Sequence, residues 1–188
     1  MLYFLSAPSR RLAVGLLLAA SCLYLSAGNA AAGCASPTVG TPQGGHYKAN
    51  APLRTTLADK GITGTKLVLT GRILDHNCRS VLGALIDFWH ADDLGRYDNA
   101  DFKLRGRQNT DTQGRYRLET IVPGAEVGKA RALYVKLAAP GGRIVTTRLY
   151  FPDDAQNATD PLFRPELLLA LEHAPEGVVA RFDFVLPP

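Results

Sequence analysis

The amino-acid sequence predicts an all-β fold: a single-domain β-sandwich with an irregular N-terminal arm and one short helix. Three observations carry that prediction. Short runs alternate apolar and polar residues with a period of two, as half-buried strands do. Turns containing Gly, Pro and Asp separate these runs, and sustained helical periodicity is almost missing. A sandwich has this pattern and a βαβ fold does not.

The chain has 188 residues, 46% hydrophobic and 20% charged, which suits one globular domain with its own core. Residues 1–33 stand apart as an export signal. Arg10 and Arg11 supply its positive end, Leu12 to Ala27 an almost uninterrupted apolar run, and Asn29-Ala30-Ala31-Ala32 a small-residue exit for a signal peptidase. The expected compartment is extracytoplasmic, either periplasmic or secreted. Ser9-Arg10-Arg11 has the start of a twin-arginine signal, although Ala13 and Val14 stand where a large apolar residue is usual. Ala31-Ala32-Gly33-Cys34 resembles a lipobox, which leaves two alternatives: a lipid on Cys34 as membrane anchor, or an ordinary cysteine near the mature start. An uncleaved anchor is a third, for which the apolar run is short.

The formal charge of +4 includes Arg10 and Arg11, so the remainder carries +2. With no basic stripe, nucleic acid is not an expected partner. Cys22 leaves with the signal. Cys34 and Cys78 either pair in an oxidising compartment, or Cys34 is lipidated and Cys78 is free.

Residues 34–65 are rich in Pro, Gly, Thr and Ala without periodicity and read as an arm lying on the domain. Residues 66–188 form the sandwich. Its expected strands are Lys66 to Asp75, Gly83 to His90, Arg115 to Val122, Arg131 to Ala139, Arg143 to Phe151 and Ala180 to Leu186. Tyr116, Leu118 and Thr120 oppose Arg115, Arg117 and Glu119, and Phe182, Phe184 and Leu186 oppose Arg181, Asp183 and Val185. Asp111-Thr112-Gln113-Gly114 and Pro140-Gly141-Gly142 are turn chemistry. Pro165 to His173, with Pro near its start, a Leu-rich stretch and Pro175 beyond, is the expected helix.

Three blocks of the chain resemble the intradiol ring-cleavage dioxygenases. The first is Gly83 to Tyr97, ending in Gly95-Arg96-Tyr97. The second is Leu104-Arg105-Gly106 followed by Thr110 to Tyr116 and Thr120-Ile121-Val122-Pro123-Gly124. The third is Thr146 to Pro152 with Asp160-Pro161-Leu162-Phe163 behind it. The arm segment Thr41 to Tyr47 resembles the family's Gly-Pro-Tyr arm. The Thr-Asp-x-x-Gly-x-Tyr and Pro-Gly pieces also occur in transthyretin-like sandwiches, and the Trp89 to Tyr97 block with Arg148 to Pro152 favours the dioxygenase branch.

The resemblance implies a sandwich of the intradiol dioxygenase or transthyretin-like type and a chemistry. In that family Fe(III), held by two tyrosines and two histidines, acts as a Lewis acid on both oxygens of a catechol-type aromatic. Tyr97 falls on the first tyrosine ligand. Glu126 stands where the second is expected, two positions after Pro123-Gly124. Ala132 and Tyr134 stand where the family has His-x-His; two apart on a strand, they share a face. The metal candidates are therefore Tyr97 and Tyr134, with Glu126 as a further donor. Lys129 falls where an active-site arginine is usual and Arg148 where Gln or Arg is, so these are the catalytic candidates. Tyr47 and Trp89 are the substrate-binding candidates. Tyr97, Tyr134, Lys129 and Arg148 are expected to converge on one concave region.

The histidines do not complete the set. His90 reads as structural, His76 and His173 as surface residues, and His46 as an arm residue that could fold over the site or stay in solvent. Two functions compete: an iron-dependent dioxygenase acting on a catechol-type aromatic with an altered ligand set, and a binding or assembly module without turnover, as a homo-oligomer or beside a partner subunit. A plain transthyretin-like sandwich is a third reading.

Overall fold

The computed structural model describes residues 36–188 apart from Arg143, and the targeting segment and Cys34 lie outside the described residues. Among the described residues nine strands form: β1 (Lys66–Leu74), β2 (Leu85–Trp89), β3 (Arg105–Asn109), β4 (Arg115–Ile121), β5 (Ala132–Ala138), β6 (Ile144–Tyr150), β7 (Ala170–Ala174), β8 (Gly177–Arg181) and β9 (Phe184–Val185). One sheet runs β4-β1-β8-β7, with β9 also paired to β1; the other runs β3-β2-β5-β6.

The period-two alternation sends alternate residues of each strand into the space between the sheets. Leu67, Leu69 and Ile73 of β1 and Leu118 of β4 meet Ile86 and Phe88 of β2, Leu133, Val135 and Leu137 of β5, and Leu149 of β6 in one buried core. Each such side chain gains about 1.5–3 kcal/mol from burial. That gain fixes the register, because a one-residue slip would turn the whole set outward.

Three expectations are corrected. Pro165 to His173 is not a helix. A single 3₁₀ turn spans Pro165–Leu167, Leu168 is extended, and Ala170–Ala174 forms β7 against β8. Leu167 and Leu169, two apart, are both buried, and the Leu169 N–H donates to the Tyr150 carbonyl at 2.9 Å, so the leucines serve an extended chain. Ala180 to Leu186 is not one strand. It breaks at Phe182 and Asp183, where the Asp183 carboxylate takes the Arg72 N–H at 2.9 Å. Gly71 permits this break, since a Cβ there would stand 1.8 Å from the Phe182 carbonyl oxygen. Beyond it Phe184, Val185 and Leu186 are all buried, so the expected alternation stops. Finally, β3 forms where no strand was expected.

Residues 38–57 cross the β3-β2-β5-β6 sheet. The Thr41 N–H donates to the carbonyl of Thr146 in β6, and Leu53 and Thr56 bridge to Arg107 and Glu119. Cys78, in the turn after β1, is disulfide-bonded.

Candidate functional site

The outer face of the β3-β2-β5-β6 sheet carries a second cluster beneath the arm, composed of Trp89, Ala130, Ala132, Tyr134, Tyr150 and Leu167, with Tyr47, Tyr97 and Phe163 against them. Register explains its order. Arg105 pairs with Trp89, Trp89 with Tyr134, and Tyr134 with Arg148, so one row across four strands reads Arg, Trp, Tyr, Arg. The next row reads Arg107, Asp87, Lys136, Thr146.

Tyr97 reaches this face from the turn after β2. The Asp92 carboxylate holds that turn by accepting the Leu94 and Arg96 N–H groups. Gly95 has φ +79°, and a Cβ there would lie 2.1 Å from the Ala125 carbonyl oxygen; one on Gly124 would lie 2.5 Å from the Asp93 oxygen. Two glycines of the sequence motifs thus let the β2–β3 and β4–β5 connections touch backbone to backbone. This contact brings Glu126 near Tyr97.

The rings form a continuous basin. Trp89 and Tyr134 lie 5.4 Å apart between centroids, Tyr97 and Tyr134 6.4 Å edge to face, and Tyr47 and Trp89 5.0 Å. Arg148 stands 4.7 Å over Tyr134 and donates to the Pro42 carbonyl at 3.0 Å. The arm roofs the basin. A Cβ on Gly44 would be 3.3 Å from Tyr134, and His46 stacks on Tyr97 at 3.9 Å with rings within 1° of parallel. The Tyr47 hydroxyl donates to Asp87 at 3.2 Å, and Lys136 lies 4.5 Å over the Tyr47 ring.

Tyr97, Tyr134, Arg148, Trp89 and Tyr47 are therefore brought together. Lys129 reaches them only through Glu126: its ammonium, half exposed, pairs with the Glu126 carboxylate at 2.8 Å. The tight turn that carries the Lys129 N–H to the Glu126 carbonyl turns both side chains toward each other. His76 and His173 are exposed, and His90 is buried between the Ala91 carbonyl and the Thr120 hydroxyl.

Two features were missed in the sequence. Arg105, 1% exposed, hydrogen-bonds the carbonyls of His46 and Asp98 and forms no ion pair among the described residues; neither does Arg148, 3% exposed. The second is a set of donors without acceptors. Trp89 Nε1 and Arg148 Nε are buried without a hydrogen-bond partner, and the Tyr150 hydroxyl is buried beside Arg148 without a hydrogen bond of full geometry. Burial pushes Tyr150 up to about 12, partly countered by Arg148. Burial, then Tyr134 and Glu126, push Tyr97 further up, against the pull of Arg148 and Arg105. Both phenols are held protonated, as donors.

A family model described as "Dioxygenase" matches residues 41–188. The protocatechuate 3,4-dioxygenase beta chain of Burkholderia cepacia is 34% identical over 64% of this chain and 57% of its own, and catechol 1,2-dioxygenase 2 of Acinetobacter lwoffii is 28% identical over 70% and 58%. The chain thus spans less than two thirds of these relatives' length. Among solved structures, the dioxygenase domain of a dioxygenase and carbohydrate-binding fusion from Streptomyces sp. SirexAA-E superposes with TM-score 0.78 at 41% identity, covering 80% of this chain and 98% of that domain. The 3-chlorocatechol 1,2-dioxygenase of Rhodococcus opacus 1CP gives 0.74 at 27% identity, over 80% and 72%.

The fold and the aromatic basin define a β-sandwich of the dioxygenase type. The chain belongs to the intradiol ring-cleavage dioxygenase family.

The family's iron does not fit the donors present here. At the positions where the resemblance expects the ligands, Ala132 offers no donor, Tyr134 offers a phenol and no imidazole, and Glu126 is tied to Lys129. The half-buried His46 lies flat against Tyr97, with Nδ1 3.3 Å from the Asn99 side-chain oxygen. Among the described residues no group of three or more His, Cys, Asp or Glu could hold a metal ion.

Proposed function

We propose that this is an exported member of the intradiol dioxygenase family that binds a catechol-type aromatic as an oxyanion in the Trp89–Tyr134 basin, without ring-cleaving turnover. The observation that carries the reading is the set of buried donors without acceptors, Trp89 Nε1, Arg148 Nε and the Tyr150 hydroxyl, in a basin whose two buried arginines, Arg105 and Arg148, form no ion pair among the described residues. Each donor left unpaired costs about 1–3 kcal/mol. A planar ligand with acceptor oxygens would recover that cost, while the indole and phenol rings supply flat apolar contact. Entry requires the roof of residues 42–47 to lift.

Export rests on the residue 1–33 signal and is supported by the disulfide-bonded Cys78, since such bonds persist in oxidising compartments. The same bond counts against the lipid-anchored form, which goes with a free Cys78, and favours a soluble periplasmic or secreted one. The alpha- and beta-chain names of the protocatechuate dioxygenase relatives support association with a further copy or a partner subunit.

Trp89 is the sole tryptophan, so its emission reads the basin directly. Catechol and protocatechuate should quench it saturably, and Arg148→Met should weaken the binding at least tenfold, with no oxygen uptake by iron-loaded protein. Absence of quenching at millimolar ligand would refute the reading. The contact between Tyr97 and Tyr134 favours a second reading, an active Fe(III) dioxygenase with an oxygen-rich ligand set. Oxygen uptake with ring-opened product would select it.

A further inference from the structure

The opposite side of the molecule carries a second, unrelated cluster. The outer face of the β4-β1-β8 sheet presents Arg115, Arg117, Arg72 and Arg181 around Thr70. Register puts Arg72 directly opposite Arg115, and Thr70 between Arg117 and Arg181. Together with Gln108 and Asn109 they line a cleft of about 530 Å³. Adjacent strands lie about 4.8 Å apart and same-face neighbours about 6.8 Å along a strand, so the four guanidiniums frame a small floor.

This arrangement works against the fold. Like charges directly opposite across two strands destabilise the pair. Three of the arginines lean on carboxylates: Arg115 on Asp111 at 2.7 Å, Arg117 on Glu119 at 2.8 Å and Arg181 on Asp183 at 3.3 Å. These pairs are exposed, hence weak and exchangeable. Arg72 forms no ion pair among the described residues. A second, independent observation lies in the cleft wall. Gln108, 7% exposed, accepts the Arg117 N–H on its side-chain oxygen at 3.2 Å, and its Nε2 is buried without a hydrogen-bond partner.

We propose that this cleft is a binding site for a small molecule carrying two oxyanion groups. One group sits between Arg72 and Arg115, where the guanidinium forks meet it bidentately. The other lies over Thr70 between Arg117 and Arg181. The intramolecular carboxylates hold three of the forks in place until the ligand displaces them. Phosphates and carboxylates share this chemistry.

The test is calorimetric titration of the exported protein with pyrophosphate and with succinate, with acetate as the monovalent control, at low and high salt. At least one dianion should bind at least tenfold more tightly than acetate and weaken as salt rises; whichever binds more tightly identifies the group. Arg72→Gln should lower that affinity at least tenfold while ligand-free Tm stays the same or rises, because a like-charge contact is removed. Arg164→Gln, distant in the fold, should change neither. Dianions no tighter than acetate, or dianion binding that survives Arg72→Gln undiminished, would overturn the proposal.

Discussion

His90 makes stability depend on pH within a narrow window. It closes β2 at 1% exposure, with Nδ1 2.7 Å from the Ala91 carbonyl and Nε2 2.7 Å from the Thr120 hydroxyl. The carbonyl can only accept, so Nδ1 carries the proton and Nε2 accepts from Thr120. Burial pushes His90 down from 6.5 to about 4; the Ala91 carbonyl opposes this and Arg105 adds to it. Between those values the unfolded chain binds a proton that the folded protein refuses. The contribution is therefore fully present above about pH 6.5, falls as pH drops, and is gone near pH 4. At about 1.36 kcal/mol per pH unit the loss is about 3 kcal/mol, a large share of the 5–15 kcal/mol that holds typical domains folded. Urea unfolding of the wild type and His90→Gln across about pH 7.5 to 4 measures it. Glutamine keeps hydrogen-bonding groups in place and does not titrate, so the difference between the two proteins should shrink by about 3 kcal/mol toward low pH. Asp75, Asp92, Asp111 and Asp154 have lowered values through backbone N–H and arginine partners, and Asp98 through backbone N–H groups and Lys103; they lose their contribution at still lower pH and do so in both proteins. Curves that stay parallel from pH 7.5 to 4 would refute the reasoning.

Gly44→Ala forces a left-handed φ of +75° on a residue whose Cβ would press on Tyr134; we expect about 1 kcal/mol of lost stability by urea unfolding, together with faster ligand entry by stopped-flow Trp89 fluorescence. Glu126→Tyr, Ala132→His and Tyr134→His combined should bring back iron binding and a visible tyrosinate band before any catalysis, read by metal analysis and absorption; a colourless, iron-free protein would count against the register. Intact mass of the exported protein should show a chain beginning between Ala31 and Cys34. A soluble species retaining Met1 would refute export processing, and added lipid mass on Cys34 would select the anchored form.

The sequence spoke most clearly where burial enforces period two. β1, β2, β4, β5 and β6 stand within one or two residues of their expected bounds because each has a core face that cannot tolerate a slip. β3 was silent for the opposite reason: Arg105 to Asn109 contains no large apolar residue, and its place is set by pairing with β2. The leucines at 167–169 imitated a helix because a local pattern cannot show that Tyr150 offers them a carbonyl. In the site, the convergence of Tyr97, Tyr134 and Arg148 was legible through motif and strand parity. Arg105 and the His46–Tyr97 stack were not, since each depends on an arm returning across some fifty residues of chain, nor were the orphaned donors, since a missing partner is visible only once the chain is folded.

The arm's bonding also orders events in time. The Thr38 N–H donates to the Val185 carbonyl, and the Val185 N–H returns to the Thr38 hydroxyl at 2.9 Å, 147 residues away in sequence. A ribosome makes the arm before any strand and the last strand after all the others. The start of the arm at Thr38 must therefore wait, without these two partners, until β9 has been made. Seating of the arm's first residues thus reports that β9 is in place, and a product truncated before β9 would hold its arm over the basin only by the contacts of residues 42–47, with Thr38 left unpinned.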